Sequence, residues 1–123
     1  MVGDFLVGHP RIHVIAFTGS REVGLAILDK AARLAPGQTH VKRVVCEMGG
    51  KNAIIVDADA DLDDAVVQII HSAFGYQGQK CSACSRVIAV GGVHDRLVAR
   101  LAAALDAFPY GPPEDPQFVF GPV

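Results

Sequence analysis

The stretch AIIVDADADLDDAVVQIIHSAF, Ala53–Phe74, decides the fold class. Ala53-Ile-Ile-Val56 is a short apolar run rich in β-branched residues, the composition of a buried strand. The carboxylates of Asp57-Ala-Asp-Ala-Asp61 suit a helix N-terminus, where unpaired amides and the macrodipole favour negative charge. Leu62, Ala65, Val66, Ile69, Ile70, Ala73 and Phe74 then recur at helical spacing and make one apolar face. Strand, turn and helix thus follow one another within a single short segment. Upstream, Ile12–Phe17 reads as a strand and Thr18-Gly-Ser20 opens a helix with the stripe Val23, Ile27, Ala31 and Leu34, stopped by Pro36-Gly37. Val41–Cys46 is a further strand, and Met48-Gly-Gly-Lys51 a turn. Downstream, Gly75–Lys80 is a loop, Val87–Val90 a strand, and Leu97, Val98, Leu101, Leu105 and Phe108 line a helix capped by Asp95. Residues 109–123 carry many prolines and glycines and read as an irregular tail. Strands alternating with helices imply an α/β architecture with mainly parallel pairing.

A chain of 123 residues is one domain's worth and can bury a core without disulfides. Half of it is hydrophobic and the mean hydropathy is +0.32, rich for an isolated soluble domain. Either the core is large, or the chain is a segment whose apolar surfaces meet other parts of a bigger protein; the second reading is favoured. A net charge of −2 with no basic stripe argues against nucleic acid as a partner. The apolar runs are far too short for an integral membrane segment, and residues 1–17 show no signal peptide. Three cysteines, an odd count, suggest free thiols in a reducing, cytoplasmic setting.

Cys81-Ser-Ala-Cys84 has several readings. A zinc site needs a second ligand pair, which the sequence does not offer next to it, so no metal is expected. A redox pair of the thioredoxin kind belongs at a strand-to-helix turn, whereas this one follows a helix and a loop. Two inert buried thiols are the plain alternative. Against that, Cys81 follows Gly78-Gln-Lys80 in a polar loop, where a lysine and oriented amides favour the thiolate. A thiolate nucleophile wants a general base for a later hydrolysis. Glu47, at a strand end before a Gly-Gly turn, is the leading candidate, and an ordinary solvated carboxylate is its alternative. Gly19-Ser20 joins a strand to a helix, a junction that offers amides to a phosphate or is simply a serine N-cap.

Taken in order, Phe17-Thr-Gly-Ser20, Glu47-Met-Gly-Gly-Lys51 and Gly78-Gln-Lys-Cys81 resemble three signature segments of the aldehyde dehydrogenase superfamily. Glu47 and Cys81 are 34 positions apart, the interval usual in that family. The finer wording, Phe17-Thr-Gly-Ser-Arg-Glu-Val-Gly24 and Ser72–Arg86, together with the Pro36-Gly-Gln38 insertion, is similar to the branch that acts on L-glutamate γ-semialdehyde (1-pyrroline-5-carboxylate). The resemblance spans essentially the whole chain. It implies the end of a Rossmann-like NAD-binding sheet in residues 1–46 and the start of the catalytic α/β domain in 47–123. It also implies oxidation of a small-molecule aldehyde to a carboxylic acid through a thioester on Cys81, in proline catabolism, with NAD as hydride acceptor and Glu47 activating the hydrolytic water. Further implied roles are Gly19 and Ser20 at the cofactor pyrophosphate, Met48 and Gly49 near the nicotinamide, the Cys81 amide at the oxyanion, and Ser82 at the substrate carboxylate. Cys46 and Cys84 are left as buried thiols.

The family segments that hold the adenosine ribose, the oxyanion asparagine, the nicotinamide ribose and the oligomerisation arm have no counterpart in these residues. The expectation is therefore an internal fragment of a homo-oligomeric enzyme, negligibly active alone. The alternative is a non-catalytic fragment or interaction module that binds through its apolar faces.

Overall fold

The computed structural model describes residues 2–122. It forms two compact units, Met1–Gly49 and Gly50–Val123. In the first, α1 (Val2–Gly8) precedes β1 (Val14–Thr18), α2 (Arg21–Ala32) and β2 (Arg43–Glu47). β1 and β2 pair in parallel, from Val14 opposite Arg43 to Thr18 opposite Glu47. In the second, β3 (Asn52–Val56) leads through α3 (Leu62–Phe74) to β4 (Cys84–Ala89), which pairs with β3 in parallel, and α4 (His94–Asp106) follows. Each unit is thus a strand–helix–strand crossover, which explains why the apolar runs and the helical stripes alternate along the chain.

α3 forms where the sequence asks for it. The Asp61 carboxylate accepts from the amides of Asp63 (2.9 Å) and Asp64 (3.3 Å), satisfying two of the helix's orphan donors. Its buried face, Leu62, Val66, Ile69 and Ile70, packs with Val56 of β3 and with Val93 and Leu97 into the core of the second unit. Leu97, at 2 % exposure, is the most enclosed leucine in that cluster. Leu97→Ala is expected to destabilise the protein by about 2–5 kcal/mol, through lost transfer energy and the cavity left behind, and denaturant unfolding measures it.

Several boundaries differ from the sequence reading, each for a local reason. α1 was not anticipated; its seven residues are too few for Val2, Phe5 and Leu6 to stand out as a stripe, and it buries none of them. It is tied to α2 by the Asp4–Lys30 ion pair at 2.5 Å, and the Lys30 ammonium holds the Asp4 carboxyl below its ordinary range. β2 starts at Arg43, not Val41, because residues 38–42 are occupied by a side-chain network. There Gln38 Nε2 donates to the His40 carbonyl (2.7 Å), and the buried Lys42 ammonium donates to Gln38 Oε1 (3.2 Å). α4 begins at His94 with Val93 as its cap residue and no side-chain cap bond, so Asp95 sits in the first turn and is not the cap. Within 75–80, Gly75–Gly78 forms a 3-10 turn. Tyr76, Gln77 and Gly78 all have positive φ there, and a Cβ on Gly78 would lie 2.8 Å from the Ala73 carbonyl. The tail holds an isolated parallel bridge, Tyr110 to Phe120, and Phe120 packs edge-on against Phe74 and Phe108.

The apolar surplus is visible on the sheets. Ile55 and its register partner Ile88 are 68 % and 46 % exposed, although parallel sheets normally have both faces covered. Among the described residues, no helix is long and apolar enough to cross a membrane.

Candidate active site

In the first unit, five of the singled-out residues, Gly19, Ser20, Glu47, Met48 and Gly49, lie where β1 and β2 end and α2 begins. Parallel pairing puts Thr18 opposite Glu47, and the Gly19 amide donates to the Glu47 carbonyl at 3.1 Å. The Gly19 amide is therefore engaged with protein, which sequence could not show because it depends on the register of two strands. Gly19 is also confined sterically, since a Cβ there would lie 2.5 Å from the Phe17 ring. Ser20 is the N-cap of α2, its hydroxyl oxygen accepting from the Val23 amide at 3.3 Å. That use leaves the hydroxyl proton free to donate. The next two amides, of Arg21 and Glu22, have no carbonyl within their own helix to reach. Together they form a set of donors at a helix start, the chemistry a pyrophosphate needs. Glu47 has an exposed side chain at the last position of β2. Met48 is half-buried, its sulfur packed where a Cβ on the buried Gly24 would come within 2.8 Å, and Gly49 is exposed.

In the second unit the three-cysteine question partly resolves. All three thiols are free, and they differ in environment: Cys81 is exposed, Cys46 of the first unit is half-buried and Cys84 is buried. The Cys84 thiol donates to the Arg86 carbonyl at 3.1 Å, and the Cys46 thiol to the Gly24 carbonyl at 3.7 Å. The inert reading thus suits Cys84 well, whereas Cys81 has the access a nucleophile requires. Cys81 and the exposed Ser82 occupy a tight turn closed by the Ala83 amide donating to the Lys80 carbonyl at 3.0 Å. A residue not singled out from sequence also bears on this turn. The side-chain amide of Asn52 donates to the Cys81 carbonyl at 2.7 Å and to the Ala83 carbonyl at 3.3 Å. Among the described residues no group of three or more His, Cys, Asp or Glu side chains is placed to hold a metal ion.

An accessible thiol in a fixed turn can add to an electrophilic carbon, and a helix start with spare donors can hold a phosphate. The profile described as "Aldehyde dehydrogenase family" matches residues 1–123. The chain belongs to the aldehyde dehydrogenase family. It is 51 % identical over 122 residues to the 1-pyrroline-5-carboxylate dehydrogenase of Anoxybacillus flavithermus, a match covering 99 % of this chain and 24 % of that protein. Among solved structures it is similar to a Thermus 1-pyrroline-5-carboxylate dehydrogenase with bound NAD, with a TM-score of 0.91 and 50 % identity over 99 % of this chain and 23 % of that one. It is also similar to proline utilization A from Bdellovibrio bacteriovorus, with a TM-score of 0.94 and 54 % identity over 99 % of this chain and 13 % of that one. This family member thus spans about a quarter of the length of the curated relatives it matches. The α/β elements of the aldehyde dehydrogenase fold are those expected from the alternation of strands and helices.

Proposed function

We propose that the chain contributes the nucleophile and the hydrolytic base to an NAD-dependent oxidation of L-glutamate γ-semialdehyde to L-glutamate, within a complete, homo-oligomeric enzyme of proline catabolism. In this reading the first unit, with the boundary set near residue 46, closes an NAD-binding domain, and the remainder opens the catalytic domain. The observation that carries the reading is the exposure of Cys81 in its turn, where the two other thiols are half-buried and buried. The likeness to 1-pyrroline-5-carboxylate dehydrogenases over nearly the whole chain supports the choice of substrate, and the NAD bound in the Thermus relative supports the cofactor.

The Cys81 thiolate adds to the aldehyde carbon, and the carbonyl electron pair moves onto oxygen, where the Cys81 backbone amide donates to it. A preorganised donor of this kind is worth about 3–4 kcal/mol in the transition state. NAD, when bound, supplies the acceptor for the hydride that leaves the thiohemiacetal carbon. A thioester on Cys81 remains. Glu47 takes a proton from water as the water oxygen attacks that thioester, the carbon–sulfur bond breaks, and the acid departs with the thiolate restored. Ser20 and the α2 amides hold the cofactor pyrophosphate beside Gly19, whose lack of a side chain keeps the Phe17 ring in place. Met48 and Gly49 lie along the nicotinamide, and Ser82 meets the substrate carboxylate.

The test is NADH formation by the full-length enzyme carrying this segment. It is expected to turn over L-glutamate γ-semialdehyde with NAD in preference to aldehydes that lack the α-amino acid group. Equal turnover of simple aliphatic aldehydes would remove the substrate assignment. The open faces around Ile55 and Ile88 favour a second reading, an apolar interaction module. Strong self-association by light scattering without NAD binding would support that one instead.

A further inference from the structure

We propose that Asn52 is a positioning residue for the Cys81 nucleophile, a role that rests on the function proposed above. Asn52 opens β3 and lies 29 residues from Cys81 in sequence, yet its side-chain amide reaches the Cys81 carbonyl at 2.7 Å. The same nitrogen donates to the Ala83 carbonyl at 3.3 Å, so one amide group spans both ends of the Cys81–Ala83 segment. A third bond runs the other way, from the Ser85 hydroxyl to the Asn52 backbone carbonyl at 3.2 Å. These bonds coincide with an irregularity in the ladder. Asn52 pairs with Cys84 but Ala53 pairs with Arg86, which leaves Ser85 as an extra residue on β4. Such bulges bend a strand end and re-aim the side chains beside it. Gly50 allows this close approach, since a Cβ there would sit 3.2 Å from the Cys81 carbonyl oxygen and the turn would have to give slightly.

An asparagine is the fitting residue type. It supplies the donors that two carbonyls demand and carries no charge that would perturb a neighbouring thiolate. By holding the Cys81 carbonyl, Asn52 holds the peptide plane between Cys81 and Ser82. The backbone position from which the thiol and the Cys81 amide project is thereby anchored relative to β3. Addition to a carbonyl needs both at once, the sulfur on carbon and the amide at the developing oxyanion, and a misplacement of about 1 Å can cost on the order of 10²-fold.

The experiment compares Asn52→Asp and Asn52→Ala with the wild type in the full-length enzyme. Asn52→Asp keeps the shape and turns a donor into an acceptor facing the Cys81 carbonyl, and Asn52→Ala removes the group. Active Cys81 is counted by iodoacetamide labelling with mass spectrometry, so that kcat is expressed per reactive thiol. We expect kcat per reactive thiol to fall by about tenfold or more, with the KM for NAD within about twofold of wild type. The labelling rate should change at Cys81 and not at Cys46 or Cys84. A kcat per reactive thiol within about twofold of wild type overturns the proposal and leaves the function standing. So does loss of folding in both variants, which would assign Asn52 to stability alone. If the wild type fails to oxidise the aldehyde but the labelling rate at Cys81 still responds to Asn52, the positioning role stands and the function falls. If neither responds, both fall.

Discussion

Replacing Cys81 by serine in the full-length enzyme is expected to reduce aldehyde oxidation by roughly 10⁴-fold or more, equivalent to about 5 kcal/mol of transition-state stabilisation. The hydroxyl occupies almost the same space, so the turn closed by Ala83 and Lys80 and the bonds from Asn52 have no steric reason to change. What changes is nucleophilicity, because a serine oxygen is a much weaker nucleophile than a cysteine sulfur. Cofactor binding should persist, since the donors at the start of α2 are untouched. Cys84→Ala and Cys46→Ala serve as the controls. The first loses a buried thiol and its bond to the Arg86 carbonyl, so it should cost about 1 kcal/mol of stability while leaving the rate per folded enzyme nearly unchanged. An alkylating aldehyde analogue should label Cys81 ahead of both. Preferential labelling of Cys84, or an active Cys81→Ser enzyme, would remove Cys81 from the mechanism.

How much of this was legible beforehand depends on the range of the interactions concerned. The α3 face was readable because its determinants are local: a carboxylate cap at Asp61 and apolar residues at helical spacing. The accessibility of Cys81 was likewise readable from the polar residues before it. α1 escaped because seven residues are too short a window for Val2, Phe5 and Leu6 to make a clear periodic signal. Asp95 was misread as a cap because the carboxylate-before-apolar pattern does not say whether the helix starts two residues earlier, and here it does. The engagement of the Gly19 amide by the Glu47 carbonyl and of the Cys81 carbonyl by Asn52 could not have been read at all. Both follow from which strands pair and in what register, and Asn52 looks in sequence like an unremarked polar residue at a strand entrance. The candidate residues with reactive side chains were visible in the sequence, and the contacts that hold the backbone around them were not.

Glu47→Gln is expected to separate the two halves of the proposed reaction. Glutamine keeps the size of the side chain and its place at the exposed end of β2, and the backbone carbonyl that receives the Gly19 amide is unaffected. It cannot take a proton from water. Formation of the thioester on Cys81 does not need that proton, so a first turnover should proceed and release about one equivalent of NADH per active thiol in stopped-flow mixing. The following hydrolysis should slow by about 10²–10⁴-fold, the usual contribution of a positioned general base, and the acyl group should be found on Cys81 by mass spectrometry of the quenched enzyme. Steady-state kcat then falls while the burst survives, a signature that loss of folding or of cofactor binding cannot produce, because either would reduce the burst itself. A variant with no burst would move Glu47 to an earlier step, as the base that generates the thiolate. A variant with both an unaltered burst and an unaltered steady state would show that the water is activated by some other group, and Glu47 would then be an ordinary solvated carboxylate at the end of its strand.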